Sequence, residues 1–292
     1  MNSTIVGKLT RFFVIIVFCL FGFLSGGCAN DQQQFLPQQP KQQTSEPGYV
    51  VKSYQLLPFS KVVASGNFIL HLTDSSSDSS LIAVGGQEQD IDDLDIRVAN
   101  NTLYLDNASI GSRWRWCRCC SSSAINTPPV VIKLGVGGLA LESVVARGLV
   151  CVFSKNIIAK NLSITAYDKA AFMLDGRLSI SKITQMGSGK LEAKWIDSKN
   201  LTVLNSGKGA VYLAGIADRL AVTLTNRASF DARYLRAKRA AIFATDTASA
   251  NVLALKSLEI YADKHSSVFY YKRPKQSSVV TNNFANALLI KE

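Results

Sequence analysis

The chain has 292 residues and a formal net charge of +11, from 32 Lys and Arg against 21 Asp and Glu. That length gives room for a sizeable core in one all-β domain. The charge points to acidic neighbours such as lipid phosphates, acidic glycans or nucleic acid, or to solubility alone. With only two histidines, His71 and His265, and no plausible nucleophile paired with either, histidine-based catalysis is disfavoured.

At the N-terminus, Lys8 and Arg11 precede an uncharged apolar run from Phe12 to Leu24. The run has signal-peptide length and is too short to span a bilayer comfortably. The next residues, LSGGC, resemble the lipobox of bacterial lipoproteins, with Ser25 where the usual leucine stands. The resemblance implies a signal peptide over 1–27, cleavage after Gly27 and acylation of Cys28. Ala29 after the cysteine then implies the outer membrane, on either its periplasmic or its surface face. Buried acyl chains anchor a protein stably. The alternative is an ordinary secretory signal with a cysteine nearby. Residues 28–48 are rich in Gln and Pro and nearly free of aliphatic residues. Such a segment cannot offset its ordering entropy by burial, so it is expected to be a disordered linker.

A folded domain is expected over 49–274. Within it, SRWRWCRCCSSS (112–123) interleaves Arg113, Trp114, Arg115 and Trp116. Arg alternating with Trp suits a lipid headgroup layer or stacking on sugars or bases. It equally suits a structured loop whose tryptophans cover the end of the core. Cys117, Cys119, Cys120 and Cys151 remain after processing, an even number for an oxidising compartment. Disulfides among these four have three possible pairings. Metal binding is the weaker reading, because the spacing lacks C-x-x-C geometry and no histidine is near.

From Leu162 onward the sequence divides into stackable lines starting at 162, 183, 201, 220, 240 and 258, a repeat of 18–21 residues. Each line opens with alternating apolar residues, as in Leu201 and Val203 or Leu258 and Ile260, which is strand periodicity. The seventh position holds Asp168, Gly189, Gly207, Asn226, Asp246 and Lys264, mostly residues that tolerate a left-handed backbone. A turn column is therefore expected, followed by an exposed basic row of Lys169, Lys190, Lys208 and Arg227. The lines MGSGKLEA and NSGKGAVY look like phosphate loops. They lack the earlier glycine and the Ser or Thr after the lysine, and a strand pattern follows where a helix is needed. No nucleotide and no cofactor is expected. The repeat predicts an all-β parallel β-helix-like solenoid. Alternation alone also permits an antiparallel sandwich, but the constant register favours the solenoid.

Several segments resemble a known family: FSKVVASGNFILHL (59–72), LDIRVANNTLYL (94–105), and GSGKLEA and NSGKGAVYLAG, which match its recurrent Gly-Ser-Gly turns. The family is the "putative auto-transporter adhesin, head GIN domain", and the resemblance runs from Tyr49 to Pro274. It implies an exported β-helical fold, often behind a lipoprotein signal, and a hairpin through an Asn-rich turn near Asn100. It implies no established activity. The later turns depart from its glycines, and the 112–123 loop looks like an insertion. The tail, 275–292, is expected to cap the solenoid.

The function expected from these features is a non-catalytic, envelope-anchored lipoprotein that binds or scaffolds. Its partners would be the membrane through its lipid, and acidic polysaccharide, lipopolysaccharide or envelope proteins through the basic row; nucleic acid is disfavoured. A polysaccharide-acting β-helix enzyme is the alternative. The acids Glu192, Asp197, Asp218, Asp231 and Glu259 are scattered, whereas such sites need clustered carboxylates.

Overall fold

A computed structural model describes residues 48–74, 81–107, 130–137 and 140–290. The signal peptide, Cys28, nearly all of the linker and the whole 112–123 loop lie outside the described residues.

The body is a parallel β-solenoid of about seven turns. Its first part is the irregular one. β1 (Tyr49–Gln55) pairs antiparallel with β4 (Leu81–Gln87), which also pairs antiparallel with β7 (Val131–Gly135). A single helical turn, α1 (Glu88–Asp92), follows β4 and buries Ile91. β5 (Asp95–Ala99) and β6 (Thr102–Asp106) form the hairpin expected from the Asn-rich turn. Asn100 and Asn101 both have positive φ, 50° and 59°, as a two-residue hairpin of this twist requires. β2 (Lys61–Gly66) lies between β6 and β8 (Ser143–Gly148), while β3 (Ile69–Thr73) lies between β7 and β9 (Cys151–Asp168). The chain thus enters at the second rung, builds the outer rung, and passes back to continue the coil.

From there each rung is one long bent strand. These are β9, β10 (Ala171–Gly187), β11 (Lys190–Gly207), β12 (Ala210–Asn226), β13 (Ser229–Ala244) and β14 (Ser249–Ala262), each parallel to the next. Identical columns stack. Ile164, Ile183, Val203, Val222, Ile242 and Ile260 form one inward ladder, all fully or nearly fully buried. Phe172, Leu191, Val211, Phe230 and Ala250 form another. Each such large side chain contributes about 1.5–3 kcal/mol when fully buried. The later rungs fill their interior with alanines, including Ala232, Ala237, Ala244 and Ala254, around the single large ring of Phe230.

The segment after Pro274, read from sequence as a tail or cap, continues the coil. β16 (Gln276–Thr281) adds to β14, while β17 (Asn286–Ile290) adds to β15 (Ser267–Tyr271).

Candidate functional site

The turn column exists, with one change of register. Asp168, Gly187, Gly207 and Asn226 are successive register partners, and all have positive φ. Asp246 and Lys264 continue the positive-φ series at 66° and 61°. The position assigned to Gly189 belongs to Gly187. Ile183 is the register partner of Ile164, the third position of the first line, so counting from Ile183 runs two positions late. Leu162 pairs with Ile180 instead, and a bulged Ser181 separates Ile180 from the Lys182–Ser163 pair, which hides the equivalence.

The displacement moves Lys190 out of the basic row. Backbone N–H groups of Lys169, Ser188, Lys208, Arg227, Thr247 and His265 each donate to the turn carbonyl one rung back, and this defines the true row. Its cations are Lys169, Lys208 and Arg227, with Ser188 between the first two. Lys190 instead opens β11, in register with Ala210. Its Nζ lies 3.1 Å from the Glu192 carboxylate and 5.0 Å from the Tyr212 ring centroid. Lys194 also reaches Glu192, at 2.9 Å. Those two hydrogen bonds, Lys194 first, hold the Glu192 carboxyl below the usual carboxylate range.

The Gly-x-Gly turns, Gly187-Ser188-Gly189 and Gly207-Lys208-Gly209, recur for packing reasons. A Cβ on Gly187 would fall 2.1 Å from the Asp168 carbonyl oxygen, and one on Gly189 would fall 1.9 Å from that of Ala170. Beneath these turns lie two buried amides, Gln185 and Asn205, in register with one another. Asn205 Nδ2 donates to the Gly209 and Ser229 carbonyls at 3.1 and 2.9 Å. Gln185 Nε2 donates to the Gly189 carbonyl at 3.4 Å. The motif is a glycine turn clasped from inside.

The turn acids are engaged in the same way. Asp168 accepts from the Gly148 N–H at 3.1 Å, and Asp246 accepts from the Asn226 N–H at 2.9 Å. Asp246 also pairs with Lys264, and that hydrogen bond is the main cause that lowers its carboxyl pKa. Asp231 is held by Arg233 at 2.7 Å and Asp218 by Lys238 at 2.6 Å. His71 stacks on Phe153 at 5.3 Å, and burial, with Lys133 nearby, lowers its pKa. His265 stacks on Phe284 at 5.2 Å in the turn row. Among the described residues no group of three His, Cys, Asp or Glu could hold a metal. Cys151 is buried and disulfide-bonded. Cys117, Cys119 and Cys120 lie outside the described residues, as do Arg113, Trp114, Arg115 and Trp116.

Two features escape a strict in-out reading. First, two shallow grooves of about 310 and 520 Å³ share Ala221, Ala241 and Glu259 on the outside of β12–β14. Arg219 and Arg239 rim one groove, and the stacked Phe243 and Tyr261 rings line the other. Second, the long strands have a third face: 157–159 stack on 176–178, Leu178 pairs with Ile196, and 196–198, 215–217 and 235–237 stack in turn. The corner before it is marked by two successive outward residues, as in Lys194-Trp195 between buried Ala193 and Ile196. That in-out-out-in pattern is the signal for the corner.

A parallel-coiled solenoid with apolar inner ladders and polar turn rows is an architecture of binding and scaffold domains as well as of enzymes. The chain belongs to the family described as "Putative auto-transporter adhesin, head GIN domain", whose model matches residues 58–274. Solved structures share the fold. A "Putative lipid binding protein" from Parabacteroides distasonis is 18% identical, with a TM-score of 0.67 over 83% of this chain and 97% of that one. A "putative adhesin" from Parabacteroides merdae is 14% identical, with a TM-score of 0.65 over 83% and 97%. Another, from Bacteroides fragilis, is 18% identical, with a TM-score of 0.56 over 84% and 98%. No curated protein matches the chain. Among the described residues no helix is long and apolar enough to cross a membrane.

Proposed function

We propose that this protein is a non-catalytic binding module of the cell envelope, anchored through a lipid on Cys28, whose turn row meets acidic glycan or lipopolysaccharide. The observation that carries the ligand class is the outward row of Lys169, Lys208 and Arg227, fixed by the ladder of turn hydrogen bonds. Rung spacing of about 4.8 Å puts Lys208 and Arg227 close enough to engage one polyanion together. Glu192, Asp218 and Asp231 are each tied to a cation, so no observation favours the polysaccharide-cleaving alternative.

Retention on immobilised heparin and on lipopolysaccharide tests this reading. The full chain should elute at higher salt than a variant with Lys169→Gln, Lys208→Gln and Arg227→Gln. Lys190→Gln alone should elute with the parent. Equal elution of the triple variant and the parent would refute the row. The anchor is tested separately, by palmitate labelling that Cys28→Ala abolishes.

A further inference from the structure

The third face presents a different chemistry from the turn row. Its outward residues include Ile158 and Ile216, which are 58% and 49% exposed. On the corner beside them stand Trp195 and Tyr234, 71% and 75% exposed. Ala214, the register partner of Tyr234, lies on the rung between them, so the two rings are two rungs apart, roughly 10 Å.

Trp195 is the telling residue. Its φ is 59°, a left-handed conformation that a bulky side chain adopts only against strain. At the same corner, the neighbouring rungs use Gly176 (φ 148°) and Gly215 (φ 135°), and the rung beyond Gly176 uses Asn156 (φ 58°), residues that take positive φ at little cost. Burial does not offset the strain, because the indole is mostly in solvent. A strained, exposed tryptophan implies a use outside the fold.

The charges beside it are largely of one sign. Lys160, Arg177, Lys199, Arg236 and Lys238 project from this face or its far edge, against Asp197 and Asp218. Asp218 is bonded to Lys238. Arg177 aligns with Ile158, and Arg236 with Ile216, so each arginine stands beside an isoleucine, with Asp197 on the rung between the two pairs. Neither arginine has an ion pair among the described residues. Aromatic rings at an edge, isoleucines paired with arginines and a sheet face spanning several rungs together match a planar anionic layer with an apolar interior.

We infer that the third face is a docking surface for an anionic phospholipid bilayer, with Trp195 and Tyr234 entering the headgroup region and Arg177 and Arg236 meeting lipid phosphates. This surface is separate from the turn row, and it can fail while the polyanion reading stands.

The test uses the full chain with Trp114→Phe and Trp116→Phe, leaving Trp195 as the one tryptophan of the three. Its emission is read with vesicles of phosphatidylcholine alone and with vesicles that also contain phosphatidylglycerol. Expected are a blue shift and quenching by acyl-brominated lipid only with phosphatidylglycerol, both weakened by high salt. Arg177→Gln with Arg236→Gln should lower the quenched fraction at limiting lipid roughly tenfold. In the parent chain, Trp195→Asn should weaken lateral docking of the anchored domain, read as surface protection of Tyr234, and leave the melting temperature equal or higher. Unchanged emission on anionic vesicles overturns the inference even if the protein is lipid-anchored. So does an emission change with heparin but not with vesicles, which would assign the face to a polysaccharide. A Trp195→Asn variant that melts markedly lower also overturns it, because the indole would then be structural.

Discussion

Gln185 and Gly209 are adjusted to one another. The Gln185 side chain is wholly buried, and a Cβ on Gly209 would come within 2.7 Å of its Cγ. Overpacking of this kind in a closed interior costs about 1–3 kcal/mol. Gly209→Ala should therefore lower stability by that amount in denaturant unfolding, and adding Gln185→Ala should recover part of it. An independent, additive pair of effects would show that the turn and the amide do not communicate. The sequence shows Gly209 plainly but not its cause, since the crowding comes from a residue one rung back. The same limit applies to Trp195, whose type is visible and whose backbone conformation is not.

At the scale of the strand, period-2 alternation was enough to mark every line from Leu162 onward as β, and the alternating Leu201, Val203, Leu258 and Ile260 are all inside. The turn column was legible because Asp, Asn and Gly recur where φ must be positive. Register within one line was not legible: the bulge at Ser181 adds a residue without disturbing the alternation on either side. The third face was lost for a related reason, because corners break the period that identifies strands. β11 also carries a pH-sensitive pairing. Glu192 is held below its ordinary value of 4.5 by Lys194 and Lys190. A depressed carboxyl stabilises the fold above its unfolded pKa and loses that contribution as pH falls through its folded pKa. The parent should thus lose stability more steeply than Glu192→Gln as pH drops below about 4.5, with a total difference under about 1 kcal/mol for a partly exposed pair. Parallel curves in acid unfolding would contradict this.

For the whole molecule, the repeat predicted the parallel coil, but the beginning of the coil had no such signal. β1, β4 and the β5–β6 hairpin join by antiparallel pairing, and β2 and β3 insert between strands that come later in sequence. Those partners are non-local, and each early strand occurs once, so no internal repeat reveals them. Beyond β8 every rung adds to the one before, and stability is close to a sum of nearest-neighbour terms. Outward substitutions on one rung should then leave its neighbours' geometry intact.

Ser188 gives that independence a practical meaning. The basic row is a comb with one tooth per rung, and at Ser188 the tooth is short. Its backbone N–H already makes the ladder bond to the Asp168 carbonyl, and its side chain is exposed. Ser188→Lys would close the gap between Lys169 and Lys208 without touching the interior, and heparin elution should move to higher salt while the unfolding midpoint stays within about 0.5 kcal/mol of the parent. If elution does not move, charge at that edge is not read by the polymer. If it does, the solenoid is a ruler whose marks can be set one at a time.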